Sequence, residues 1–398
     1  MAPTQTAQPS LSTRIQNPSV LEEQTPPVPY RTLVLTSRQN KPPEAELRRR
    51  IAAGELPDTV SADDAIGAVL LDERYVSAMP GIRGRILRRL PLLVAQAMEL
   101  WLTAGRFDAI VTWGERHSLM AAAVLRVRPR RPGHVAILMW PSKRNRTLLR
   151  LLFAKIDRFI AWPPLQRRYT EEKLGIPPER FIDARGPVDT RFWRPMPGAG
   201  DLICGAGQEM RDYGTLLEAL RGLDIPCHIA AGQGLFKARF LHEEWQANVG
   251  QQTIPDNVTL GRKPHAELRD LYARSRFVVV PLLPSDMDNG ITVITESFAM
   301  GKAVICTESP GQTGLLEPGI NCVRVPPFDA EALRDAILEL WNDPEKCRRL
   351  GEAGRQAVEE RHGAAQWCST LIRAVAEASD TARACRRAPH KAALTAAE

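Results

Sequence analysis

No run of uninterrupted apolar residues in the 398-residue chain approaches the roughly 20 that a membrane-spanning helix needs. The seven cysteines include no Cys-x-x-Cys pair, and none has the spacing to histidine that suggests zinc. Several of them sit in apolar, strand-like runs, which reads as buried free thiols in a reducing cytoplasm. Aromatic residues make up 6% and do not interleave with the basic segments, so a pI near 9.2 does not by itself make a nucleic-acid binder. Residues 1–29 lack an apolar core among their Pro, Gln, Ser and Thr. They read as a disordered lead and not as a signal peptide.

What the chain does have is length for two cores and a strand–helix alternation that starts twice. Its net charge of +7 is unevenly placed: Gly81 to Thr170 holds eighteen Lys or Arg and four Asp or Glu, a balance of +14, leaving −7 for the remainder. A local excess of that size points to an anionic partner for the first half. Buried-strand patterns appear at Thr32–Thr36, Ala65–Leu71, Phe107–Trp113, Val135–Trp140 and Arg158–Trp162. Between them, Gly81 to Leu102 carries apolar residues at helical spacing, with Pro91 expected to kink or restart the helix. Pro and Gly at 195, 197, 198 and 200 mark a linker. The predicted units are therefore a lead (1–29), a first domain (30–195), a second domain (196–378) and a disordered Ala- and Arg-rich tail (379–398).

The second domain is organised around Pro281 to Val304. The apolar run Phe277-Val278-Val279-Val280 stops at Pro281, as a buried parallel strand does at its carboxyl end. Ser285, Asp286, Asp288, Asn289 and Gly290 form a polar loop, and a helix begins near Ile291 and ends at Gly301. Strand, loop and helix N-terminus together suit an anionic ligand, because unpaired amides and the helix dipole face the loop. Asp288 and Glu296 can both point toward the same crevice.

Asp288, seven intervening residues, Glu296 and then Gly301-Lys302-Ala303-Val304 resemble the signature of the family 4 retaining glycosyltransferases of GT-B fold, with Asp288 standing where those enzymes have Glu. Gly186-Pro187-Val188-Asp189 with Phe192 and Pro195 resembles their interdomain segment, and the matches are dense from about 186 to 362. The resemblance implies an α/β architecture of two Rossmann-like domains with parallel sheets facing across a cleft, and a helix near Glu360–Ala378 that crosses back to the first domain. It also implies transfer of a hexose from a nucleoside diphosphate sugar with retention. Glu296 would then bind the ribose hydroxyls and Asp288 would face the hexose, with backbone groups of Asn289, Gly290, Ile291 and Thr292 beside them. Gly205, Ala206, Arg211, Gly232 and Arg262 would complete the substrate-binding set, Asp288, Glu296 and Arg211 being the catalytic candidates.

The chain departs from the family in three places. Ala206 stands where an Arg that clamps the diphosphate is usual, and Arg211 stands at the companion Lys. The Gly-rich loop after the first strand is replaced by Ser37-Arg38-Gln39-Asn40, and Met139-Trp140-Pro141 replaces a His near the donor sugar. Glu115 and His117, at a strand end, are the acceptor-side candidates. No metal or other cofactor is expected: Asp63 and Asp64 are adjacent and remote from the donor motif, and Asp288 of Asp286-x-Asp288 already has a role. A GT-B epimerase or phosphorylase, and a non-catalytic nucleotide-sugar-binding protein, are the alternatives. The expected partners are a nucleotide sugar, an unidentified acceptor (lipid-linked or a natural product) and an anionic membrane surface on the cytoplasmic side. Arg83, Arg85, Arg88 and Arg89 flank an apolar stripe suited to that surface, and Lys143-Arg144-Asn145-Arg146 is followed by a second such stripe.

Overall fold

The computed structural model describes residues 29–39, 41–128, 131–138, 146–161, 164–231, 254–312 and 314–395. Two six-stranded parallel sheets dominate it. The first is built from β1 (Thr32–Leu35), β2 (Ala68–Leu71), β3 (Ala109–Trp113), β4 (Gly133–Leu138), β5 (Arg158–Ala161) and β6 (Phe181–Ile182), in the order β2-β1-β3-β4-β5-β6. The second contains β7 (Leu202–Ala206), β8 (Cys227–Ala230), β9 (Val258–Leu260), β10 (Ser275–Val280), β11 (Ala303–Thr307) and β12 (Cys322–Val325), in the order β12-β11-β10-β7-β8-β9. The strands are short, and those at the centre are covered on both faces, which is why they read as continuous apolar runs. Phe277 through Val280, for example, are all buried.

In each sheet the strand order reverses once. In the first the reversal falls between β1 and β3, in the second between β7 and β10. The loops leaving the carboxyl ends of such neighbouring strands splay to opposite faces and open a crevice, the usual ligand position in a doubly wound sheet. The fold thus provides two crevices, one per sheet.

Two chain crossings join the units, and they are clasped together. The connector after β6 passes Val188, whose amide donates to the His362 carbonyl at 2.8 Å, while His362 Nδ1 lies 2.9 Å from the Gly186 carbonyl oxygen. The Ala364–Thr395 helix then returns to the first sheet, where Trp367, Leu371, Ala374, Val375 and Ala378 share a core with Val34, Val111, Val135 and Ile160. The helix runs on past 379, where the sequence reading places a tail. Ser379 and Ala382 are buried and the helix continues to Thr395. Alanine is the best helix former, and a face of small side chains lets a helix lie close to a sheet. A Cβ at Gly133 would fall 2.3 Å from the Ala378 backbone, which shows how close.

The 81–102 segment restarts at Pro91, giving helices Gly81–Leu87 and Leu92–Thr103. Its apolar stripe divides. Leu87, Ala95 and Leu100 are buried, whereas Ile82 is 68% exposed and Val94 50%. The arginines divide as well: Arg83 pairs with buried Glu99 at 2.5 Å and Arg88 donates to the Met79 carbonyl at 2.8 Å, while Arg85 and Arg89 are exposed.

Candidate functional site

The crevice of the second sheet lies between the loops that leave β7 and β10, and backbone pairing ties these loops together. The Asp212 amide donates to the Pro281 carbonyl at 3.0 Å, and the Leu283 amide to the Met210 carbonyl at 3.0 Å. A third loop, after β11, is laced onto the second. Ser285 N donates to Ser309 Oγ, Gly311 N to the Ser285 carbonyl, and Gln312 Nε2 to the Asn289 carbonyl. Gly311 is needed for that approach, since a Cβ there would meet the Met287 carbonyl oxygen at 2.0 Å. Asn289, which is buried, donates from Nδ2 to Ser285 Oγ at 2.6 Å. The polar loop read from the sequence is therefore a fixed structure.

That loop delivers the chain to the helix Ile291–Ala299. Gly290 is its N-cap, with φ of +83° and its α-carbon against Val280, so both the dihedral and the space call for glycine. It offers no side chain to the first-turn amides, which therefore lack an internal side-chain acceptor. Ile291 is half-buried and Thr292 exposed at this end. One and a half turns on, Glu296 is partly buried and its Oε2 accepts from the Tyr272 hydroxyl at 3.2 Å. Burial pushes its carboxyl up to about 8, the Tyr272 hydrogen bond opposing. Burial likewise pushes Asp288 up to about 7, against the pull of the Arg185 guanidinium. Two acids whose protonated forms are favoured by burial thus lie on the loop and helix at this N-terminus, an arrangement suited to a ligand that donates hydroxyls and carries negative charge.

The remaining sequence candidates are placed unequally. Gly205 is interior to β7, its open side packed by Tyr213, Leu216 and Ile229, so it faces the core and not the crevice. Ala206 ends the strand, buried, and its carbonyl accepts from Arg211 Nε at 3.0 Å. Arg211 also donates from Nη1 to the Glu209 carbonyl at 2.7 Å and lies over Gly207. Only 6% exposed, this guanidinium braces the β7 loop instead of reaching into open space. Arg262 is exposed just past β9. Gly232 lies outside the described residues, as do Trp140 and Lys143 to Asn145.

The crevice of the first sheet, between the ends of β1 and β3, receives Glu115 and His117 on the first turn of the Glu115–Arg126 helix. His117 Nδ1 lies 3.0 Å from the Trp113 carbonyl oxygen, and burial lowers its pKa, so it is neutral at pH 7. Glu73 stands nearby and accepts from the Arg38 amide at 2.8 Å and from Ser37 Oγ.

Sequence reasoning missed two residues that act on the acids of the second-sheet crevice, Tyr272 and Arg185. Tyr272 is a fully buried phenol on a helix face with Leu268 and Leu271, and a hydroxyl in such a place needs a partner. That rule could have flagged it. Arg185 comes from the connector, and no local spacing links it to Asp288.

The fold is that of the GT-B glycosyltransferases. Over 88% of this chain and 100% of that one it superposes on HepE from Anabaena, crystallised with UDP-glucose, with a TM-score of 0.62 at 16% identity. A glycosyltransferase from Rickettsia africae superposes at a TM-score of 0.60 and 16% identity, over 89% of this chain and 98% of that one. Residues 204–357, which contain the second-sheet crevice, match the family described as Glycosyl transferases group 1. Among curated proteins, O-antigen chain mannosyltransferase C of Escherichia coli is 26% identical over 212 residues, covering 52% of this chain and 56% of that one. Alpha-D-kanosaminyltransferase of Streptomyces kanamyceticus is 26% identical over 249 residues, covering 62% and 58%. The chain thus spans little more than half the length of these two relatives.

Proposed function

We propose that this chain is a metal-independent, retaining glycosyltransferase that moves a hexose from a nucleoside diphosphate sugar to an acceptor held by the first domain. The carrying observation is the pair Asp288 and Glu296, both with raised pKa values, flanking an uncapped helix N-terminus at the strand-order reversal of the second sheet. Ribose hydroxyls would donate to Glu296, the first-turn amides would meet the phosphates, and Asp288 would face the hexose. As the anomeric C–O bond breaks, charge develops on the diphosphate, and fixed amides are well suited to stabilise it. The family match over 204–357 and relatives named for mannosyl and kanosaminyl transfer support a hexosyl donor.

Purified protein incubated with a panel of nucleotide sugars should hydrolyse one of them slowly, and excess EDTA should leave that rate unchanged. Arg211→Ala should lower the rate more than Arg211→Lys, because Lys keeps a donor for the loop carbonyls. A strict divalent-metal requirement would remove metal independence. Binding of a donor with no turnover would favour the non-catalytic reading.

The acceptor side also supports work at the cytoplasmic face of a membrane. Exposed Ile82, Ile86, Leu93 and Val94 lie on consecutive helices with exposed Arg85 and Arg89, in the segment of +14 balance. Gln96 ties the second helix to the cleft end of the sheet by donating to the Thr36 and Leu71 carbonyls at 2.9 and 2.6 Å. Each such cation adds about 1 kcal/mol at an anionic leaflet. Flotation with phosphatidylserine vesicles should carry the protein upward at low salt, and Arg85→Gln/Arg89→Gln should weaken it. Protein left at the bottom of the gradient would point to a soluble acceptor.

A further inference from the structure

Among the described residues, the two positions expected to supply cations to the second-sheet crevice do not offer one to a ligand. Position 206 is alanine, and the guanidinium of Arg211 is held by the carbonyls of Ala206 and Glu209 within its own loop. A ligand carrying two phosphates needs charge from elsewhere, since backbone amides alone leave much of it uncompensated. Arg185 is exposed and makes no hydrogen bond or ion pair among the described residues. It lines a cavity of about 310 Å³ at the hinge, with Arg361, Gln366 and Trp367. Arg361 is already paired with Glu317 at 3.2 Å, and Asp183 on the same wall is paired with Arg167. Arg185 also reaches the donor-side loops: a Cβ at Gly314 would lie 3.9 Å from its Nη2, and its charge acts on Asp288.

We propose that Arg185 is a phosphate-binding residue, supplied by the interdomain connector, that provides the donor diphosphate with the cation absent at position 206. It is placed by the hinge, where both chain crossings are clasped, and not by the second domain alone. The guanidinium would therefore follow the hinge if the two sheets move relative to each other, joining phosphate binding to domain arrangement. This inference rests on the donor reading above, and the test separates the two.

Isothermal titration of the full chain with UDP, GDP, dTDP and ADP identifies the bound diphosphate, with the matching nucleoside and inorganic pyrophosphate as further probes. Arg185→Gln should weaken the nucleoside diphosphate and pyrophosphate by about tenfold or more, the effect of losing a charge-assisted hydrogen bond. Nucleoside affinity should be unchanged, and Arg185→Lys should fall between. Because Arg185 makes no hydrogen bond among the described residues, the melting temperature of the unliganded variant should match wild type. Equal diphosphate affinity in wild type and Arg185→Gln overturns the assignment of Arg185 alone. A wild type that binds none of the diphosphates overturns the donor reading and this inference with it. A loss confined to a phosphorylated acceptor in the transfer assay, with diphosphate affinity intact, would reassign Arg185 to the acceptor and also overturn it.

Discussion

The two crevices are built at equivalent places, yet their carboxylates are partnered differently. At the first sheet the acids near the strand ends are already answered. Asp63 is paired with Arg38, and Arg48 holds Asp64 through two hydrogen bonds of 2.8 and 2.7 Å. Burial works against Glu73, but bonds from Ser37 and the Arg38 amide keep its carboxyl below the ordinary value. At the second sheet, Glu296 has one neutral phenol as partner and Asp288 feels the charge of Arg185, and burial pushes both pKa values up. The first set is paired with the protein's own groups, although at Asp63 burial still outweighs the Arg38 guanidinium and raises the carboxyl. At the second set burial disfavours the charged forms, a cost that donated hydroxyls would offset.

The comparison breaks most visibly if the paired set is unpaired. Arg38→Leu leaves Asp63 largely buried without its guanidinium, and this should cost about 3 kcal/mol of stability in denaturant melts. Nucleoside diphosphate affinity should not change. A fall in that affinity matching the stability loss would mean that the first-sheet acids also serve the donor.

A somewhat smaller effect is expected on the other side, and it should spare the fold. Glu296→Ala should weaken nucleoside diphosphate binding by roughly 2–3 kcal/mol, while the unliganded protein stays folded. Glu296→Gln sharpens the contrast through pH. The folded carboxyl titrates at about 8, above its ordinary 4.5, so the folded state holds the proton more tightly than the unfolded chain does. That contribution is complete below about 4.5 and is lost as pH rises toward 8. Glu296→Gln should therefore raise the stability of the unliganded protein at pH 8 relative to its effect at pH 5. The same variant should bind donor less well than wild type. A variant whose stability tracks wild type at both pH values would mean that the carboxyl is not strained by burial.

Much of the second domain was legible because its signals are local. Apolar strands covered on both faces are continuous runs. Gly290 and Gly311 are demanded by a dihedral and by a close approach within neighbouring loops, and Asp212 and Asp329 cap the helices that follow them. Asp288 and Glu296 lie eight positions apart on one loop and helix, so the expectation that they face one crevice came from spacing alone. The alternation of strands and helices by itself determined a doubly wound architecture in each half.

Only the tertiary structure decided what those residues meet. Tyr272 reaches Glu296 from a different helix, and Arg185 reaches Asp288 from a connector about a hundred positions away in sequence. Arg211 looks like a phosphate clamp in the linear pattern, but three-dimensional packing turns its guanidinium onto its own loop. The basic stripe of 81–102 was visible as composition, but which arginines face outward depended on where buried Glu99 and the Met79 carbonyl lie. The last helix, too, runs on past 379 because its small-residue face meets the first sheet. Spacing along a chain encodes the pitch of a helix and the pleat of a strand. Partners brought together by a sheet's strand order, or by a helix returning from the other domain, leave no local trace.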